Sequence, residues 1–150
     1  MAKKSIRKKI FVIFFIFICL LVFPDYNYFT SQKVIINDAH TYLPLKGKDM
    51  AAGYLRISNN HSKLIGINSI ECEEVNASLH ETVIDSDGVI RMEKIAIFYI
   101  DPESHVDFMP GAKHLMFSGF DQFEDKKLKC SFGSDIGLKI PFTLEVLSNG

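Results

Sequence analysis

The sequence predicts an all-β domain, a sandwich or Greek-key barrel, that follows an N-terminal hydrophobic helix. From residue 33 onward, short runs rich in apolar and β-branched residues alternate with clusters of turn-forming residues. No 12-residue stretch in this part has the 3.6-residue period of an amphipathic helix. A chain of 150 residues is long enough for one domain with a proper core.

Nine runs are candidate strands, and their regular spacing is what favours a sandwich or barrel. They cover residues 33–36, 51–58, 63–69, 75–84, 89–97, 105–108, 113–117, 127–132 and 138–146. Turn residues separate them, including Asn59-Asn60, the segment DSDG at 85–88, and Pro110-Gly111. Residues 122–127 are expected to form a helical turn at most.

The N-terminus has the layout of a secretory signal. Residues 1–9 carry five cations and no acid, and residues 10–23 form a 14-residue run without charge. A spanning helix needs about 20 apolar residues. Bulky residues after Pro24 offer no good cleavage site, so we favour an uncleaved signal-anchor over cleavage near Ser31. Cys19 follows Ile18 rather than a small residue, so we expect no lipoprotein processing there.

This reading divides the chain into a signal peptide or signal-anchor with a short linker, residues 1–31, and a β-domain, residues 32–150. The cations place residues 1–9 in the cytoplasm and the β-domain in the periplasm, tethered to the inner membrane by residues 10–23 if the segment is kept. Residues 32–150 carry 12 basic and 17 acidic side chains, which gives a net charge of −5. Without a clustered basic face, nucleic-acid binding is excluded.

The cysteines give no redox or zinc motif, since none of the three lies in a CxxC pair. Cys72 and Cys130 have two open interpretations. They form one disulfide in an oxidising compartment, or they are two small buried thiols.

A candidate metal site lies between residues 80 and 116. His80 is followed after eleven residues by Met92, then after twenty-one residues by His114, and one residue later by Met116. Thioether sulfur is a soft ligand that favours Cu(I), and imidazole accepts Cu(I), Cu(II) or zinc. Thioethers also need no deprotonation, which suits an exported copper site. The same stretch contains His105 and Met109, so the spacing alone allows several sets of four.

Strand geometry constrains that choice. His114 and Met116 are two residues apart on one candidate strand, so they share a face. His80 and Met92 flank the DSDG hairpin and share a face only if its loop has an odd number of residues or a bulge. Gly88 is suited to the left-handed conformation that such a turn requires. An even loop without a bulge would count against a common site.

The stretch resembles the bacterial periplasmic copper chaperones of the PCu(A)C type. All the intervals of that family's ligand signature are matched, and so are the segments around the ligands: LHET at 79–82, GVIRM at 88–92 and FMPGAKHLM at 108–116. Upstream, residues 51–55 fit the family's opening strands. The likeness covers roughly residues 35–146, with departures at Glu81, Ile90 and His40.

The resemblance implies a cupredoxin-like β-barrel that binds Cu(I), and at times Cu(II), through His80, Met92, His114 and Met116. It also implies delivery of the copper to an exported acceptor, such as the copper-A subunit of cytochrome c oxidase or its assembly factors. We expect a monomer. His40, His61 and His105 are expected to be solvated residues of turns or strand ends.

Two other classes of function make different predictions for the same residues. A membrane-anchored β-sandwich that binds proteins and has no metal role predicts buried Met92 and Met116 side chains. An enzyme is not expected, since the sequence has no nucleophile elbow, supported carboxylate pair or cysteine–histidine dyad. A blue-copper centre needs a cysteine thiolate with two histidines. Cys130 is the only cysteine downstream of the motif, and no histidine follows it.

Overall fold

The computed structural model describes residues 33–120 and 126–148, and these residues form ten β-strands. The strands are β1 Val34–Tyr42, β2 Met50–Asn59, β3 Ile65–Cys72, β4 Asn76–Ile84, β5 Ile90–Lys94, β6 Phe98–Ile100, β7 Ser104–Phe108, β8 Lys113–Ser118, β9 Lys127–Ser134 and β10 Lys139–Leu147.

All ten strands belong to one sheet, in the order β5-β4-β8-β7-β2-β1-β10-β9-β3-β6, and β2 also pairs with β8. Most neighbours run antiparallel, while β1 runs parallel to β10. The sheet curls on itself and brings β6 close to β7. The rings of Phe98 on β6 and Phe108 on β7 lie 5.2 Å apart between centroids. The all-β prediction is confirmed within the described residues.

Alternation along the strands separates a core face from an outer face. In β2, Ala51, Leu55 and Ile57 point inward, and the residues between them are more exposed. Gly53 belongs to the same inward row, and a Cβ there would clash with the ring of Phe117. The largest fully buried apolar side chains come from six strands: Ile57, Ile65, Ile67, Ile100, Leu115, Phe117, Leu128, Phe132 and Leu144.

Two of the predicted strands differ from those observed. The first is longer than residues 33–36, because a bulge between Asn37 and His40 lets β1 continue past the polar residues to Tyr42. Asp38 takes a positive φ of 55° within this bulge. The second, residues 89–97, is interrupted between Lys94 and Phe98, and its two parts lie at opposite ends of the strand order.

The predicted signal or anchor, residues 1–31, lies outside the described part of the chain, as does most of the predicted helical turn at 122–127. Among the residues that are described, no helix has the length and apolar character needed to cross a membrane.

The two cysteines of the β-domain are joined by a disulfide, which decides between the two interpretations of the sequence. Cys72 on β3 lies directly opposite Cys130 on β9, with their Cα atoms 4.1 Å apart. The bond joins residues separated by 58 positions along the chain. It therefore restricts the unfolded chain over a long loop.

We predict that removing this bond with the double variant Cys72→Ala, Cys130→Ala lowers the free energy of unfolding by about 2–4 kcal/mol. Urea unfolding of the full-length protein measures the change. A variant as stable as the oxidised wild type would show that the bond contributes nothing.

Candidate metal centre

The β4–β5 hairpin has the odd loop that a shared site requires. The amide of Asp85 donates to the carbonyl of Val89 at 3.0 Å, and the amide of Gly88 donates to the carbonyl of Asp85 at 3.0 Å. Residues 86–88 thus form a three-residue loop, and Gly88 has a φ of 78°. The predicted turn is confirmed, and its register pairs Thr82 with Met92.

All four predicted ligands lie on the outer face of three neighbouring strands. His80 on β4 is directly opposite His114 on β8, and the two rings stack with centroids 6.0 Å apart. Met116 lies opposite Ser78, and Met92 lies opposite Thr82, two residues from His80 on either side. Since paired residues share a face, the register brings the four side chains to one surface.

The register also shows that the four are not equally close. From a strand spacing of about 4.8 Å and a rise of about 3.4 Å per residue, the Cα atoms of His80, His114 and Met116 form a triangle with sides of about 5, 7 and 8 Å. Met92 lies on the other side of His80, two strands and four residues away from Met116, so the two Cα atoms are about 17 Å apart in a flat sheet. Both sulfurs reach one ion only if the hairpin bends over this face.

His114 has one ring nitrogen without a hydrogen-bond partner in the described part of the protein. Its Nδ1 lies 3.0 Å from the carbonyl oxygen of Ala112. Because a carbonyl only accepts, Nδ1 carries the proton and Nε2 carries the lone pair. The residue is 4% exposed, and Nε2 is buried with no hydrogen-bond partner among the described residues. Leaving such an acceptor unpaired costs about 1–3 kcal/mol, which a bound metal ion would offset.

The surroundings of His80 favour the neutral form that a metal requires, because they lower its pKa. Burial lowers its pKa, and the neighbouring His114 and Lys94 lower it further, while a hydrogen bond with the backbone of Ser78 opposes them. The Nδ1 of His80 also lies 3.3 Å from the hydroxyl of Ser78. Both rings therefore have Nδ1 anchored by a residue two positions upstream.

The methionines of the motif remain accessible. Met92 is 63% exposed on the edge strand β5, and Met116 is half-buried. The exposure of Met92 contradicts the buried position that a purely structural role predicted. Within the described ranges, no group of three or more His, Cys, Asp and Glu side chains could hold a metal ion. A metal centre on this face therefore depends on methionine sulfur.

The other candidate residues lie away from this face or at its margin. Met109 lies at the start of the β7–β8 turn and lines a cavity with His40 and Tyr54. His105 is exposed on β7. Glu81 follows His80 on β4, so its side chain lies on the opposite face of the strand. Its carboxylate pairs with Lys113.

The expectation that His40 lies in a turn or at a strand end is wrong. The bulge in β1 extends this strand past His40, so that His40 pairs with Tyr54 on the outer face. Its Nδ1 donates to the carbonyl of Asp38 at 2.7 Å, and its ring contacts those of Tyr42 and Tyr54.

One further methionine on this face was not found from the sequence. Met50 begins β2 opposite Ser118, so it lies on the same side as Met116 and diagonal to it. It is exposed. No signal in the sequence places it there, because β2 and β8 are far apart along the chain and their register follows from the curled sheet.

We predict that the pKa of His80 in the metal-free protein lies below 6.5, its ordinary value. The midpoint follows from NMR titration of the imidazole protons. Lys94→Gln should raise it, since the lysine charge disfavours protonation. Because the unfolded chain binds this proton more readily, stability should fall as the pH drops below about 6.5. A midpoint above 6.5 would contradict the geometry of the site.

The fold is similar to those of solved copper-site domains. The chain aligns with the copper-bound PCuAC domain from PmoF2 at a TM-score of 0.62 and 14% identity, covering 77% of this chain and 93% of that one. The apo PCuAC domain from PmoF1 aligns at a TM-score of 0.64 and 13% identity, covering 77% and 94%. These likenesses confirm the cupredoxin-like β fold expected from the sequence.

A comparison with curated protein sequences gave no match. A family model matches most of the chain. Residues 34–150 fit the LpqE-like model, whose full description is "Putative lipoprotein LpqE-like". This match covers the whole described sheet, including β4, β5 and β8. The chain therefore belongs to the LpqE-like family.

Proposed function

We propose that this domain binds Cu(I) on the outer face of β4, β5 and β8 and carries it to an acceptor outside the cytoplasm. His80 and His114 supply the Nε2 atoms, and Met116 supplies a thioether beside them. Met92 completes the set when the β4–β5 hairpin bends over the ion. Cu(II), for which imidazole is the better ligand, is the second form of the cargo.

The buried Nε2 of His114 is the observation that carries this proposal. Its Nδ1 is fixed by Ala112, so the lone pair of Nε2 has a defined direction and no partner among the described residues. A buried acceptor of this kind is rarely left unpaired. The opposing ring of His80 is stacked 6.0 Å away and has a lowered pKa, so a second neutral imidazole is available.

The ligand types support copper over zinc. Structural zinc sites use cysteine thiolates, histidines and carboxylates, and both cysteines of this domain are consumed in a disulfide. Two imidazoles with one or two thioethers form a neutral, soft donor set that favours Cu(I). The solved domain that shares this fold is described as copper-bound.

A carrier must also release its cargo, and the distribution of the ligands supports exchange. The histidines are buried or half-buried on adjacent strands, whereas Met92 is exposed on an edge strand. An incoming acceptor can therefore replace the Met92 thioether first, while the histidines still hold the ion. The resemblance to PCu(A)C chaperones supports the copper-A subunit of cytochrome c oxidase, or its assembly factors, as the acceptor.

The disulfide supports a periplasmic location, because such bonds persist in oxidising compartments. We propose that residues 10–23 tether the domain to the inner membrane. The family name, which includes the word lipoprotein, suggests a second route through a lipid on Cys19, against the expectation from the bulky Ile18 that precedes it. Intact mass measurement of the protein from the membrane fraction distinguishes the two. The uncleaved, unmodified chain has a mass of 17.0 kDa. A lipidated chain would lack the residues before Cys19 and would carry the added mass of the lipid.

We predict that His80→Ala and His114→Ala each weaken Cu(I) binding by more than about tenfold, equivalent to about 1.4 kcal/mol. Met116→Leu should weaken it more than Met92→Leu, because Met116 belongs to the compact triangle. Competition titration of the full-length protein in detergent with a chromophoric Cu(I) chelator gives the affinities.

Met109→Leu is the matched control, since it removes a thioether outside the motif at nearly constant volume. It should leave the affinity unchanged. A wild-type affinity in both histidine variants would refute the site and would favour the protein-interaction alternative.

A further inference from the structure

Strand β5 leaves one edge of the sheet open. It is the first strand in the sheet order, and β4 is its only partner among residues 33–120 and 126–148. All five of its residues, Ile-Arg-Met-Glu-Lys, are exposed. An edge of this kind exposes backbone amides and carbonyls that can pair with another strand.

The hydrogen bonds to β4 identify which backbone groups of β5 are free. The carbonyl of Val89 accepts from Asp85, and the amide of Ile95 donates to Leu79, so odd-numbered residues point toward β4. In an antiparallel pair this direction alternates. The amides and carbonyls of Ile90, Met92 and Lys94 therefore point outward.

These outward-pointing backbone groups can pair with the same groups of a second copy. The two β5 strands then run antiparallel about a two-fold axis at Met92. Met92 then exchanges both of its backbone hydrogen bonds with Met92 of the second copy, and Ile90 does so with Lys94. Six backbone hydrogen bonds close along the shared edge. An isologous contact of this kind is the commonest form of homodimer interface.

Charge selects this register over its neighbours. With the axis at Met92, Arg91 of each copy faces Glu93 of the other, which gives two opposite-charge pairs. Moving the axis to position 91 would place two arginines opposite each other, and moving it to position 93 would oppose two glutamates. Like charges directly opposite across strands are destabilising.

We propose that two copies of this chain pair through β5 in this register and that their two Met92 side chains form a soft bridge between the copper sites. Hydrogen-bonded antiparallel partners have Cα atoms about 5.5 Å apart and share a face. The two sulfurs thus meet on the face that carries His80 and His114. The bridge rests on the proposed function, whereas the dimer itself needs no metal.

Together, the two Met92 thioethers provide a two-coordinate position suited to Cu(I). The pairing buries only a short strand from each copy, so we expect a weak dimer that copper strengthens by binding the paired form. The proposed dimer differs from the monomer expected from the sequence, and the experiments below decide between them.

Engineered cysteines test the register in full-length, metal-free protein in detergent, with Cys19→Ser in the background. Met92→Cys should give a disulfide-linked dimer under mild oxidation, because the Cα distance lies within the range of disulfides. Ile90→Cys is the matched control on the same strand and face. Its two copies lie about 14 Å apart in this register, so it should cross-link at least tenfold less. Ile90→Cys mixed with Lys94→Cys should cross-link.

Charge reversal provides an independent test by sedimentation equilibrium. Arg91→Glu and Glu93→Arg should each reduce the dimer fraction, and the double variant should restore it. Arg91 also pairs with Asp85 within the hairpin, and that pair is lost in Arg91→Glu and in the double variant but kept in Glu93→Arg. Recovery in the double variant therefore reports the contact between copies.

Equal cross-linking at positions 90 and 92, or no recovery in the double variant, would overturn the proposed pairing. If the metal-free dimer forms and Cu(I) raises the dimer fraction equally in wild type and Met92→Leu, the soft bridge is wrong while the dimer stands. These outcomes do not depend on whether the copper site of a single copy is correctly assigned.

Discussion

The pairing of β4 with β8 is the constraint on which the candidate site depends. In its register Leu79 lies opposite Leu115 in the core, and one residue further His80 lies opposite His114 on the outer face. A shift of β8 by one residue would turn His114 into the core and Leu115 out to water. Each buried leucine side chain contributes about 1.5–3 kcal/mol relative to exposure, so the core fixes the position of the two imidazoles.

The inner layer beneath the site has little freedom to adapt. Gly53 lies under the same region, where the ring of Phe117 fills the space that a side chain would take. Close packing of this kind transmits small displacements rather than absorbing them. The two histidines thus rest on a rigid base, and the buried Nε2 of His114 keeps a defined direction without a ligand. This half of the site is preformed.

The other half is built differently. Met92 lies on a hairpin that has only one sheet neighbour, and its loop is short and polar. A strand held on one side has fewer contacts to lose when it moves. This division suits a carrier, which must hold its cargo without preventing transfer. The charges on β5 protect its free edge from general pairing and make it complementary to itself in one register.

The sequence by itself determined the β class, because alternation and turn residues are local signals. It also contained the spacing of the four candidate ligands, since that pattern is a property of the chain, and the Gly88 turn, whose residue type decides its conformation. The sequence left undecided whether Cys72 and Cys130 form a disulfide, because their pairing requires β3 to lie beside β9. Only the tertiary structure decided which of the four candidate ligands lie close together, that His40 lies on the outer face, and where Met50 lies. Each of these follows from strand order and register, which depend on residues that are far apart along the chain.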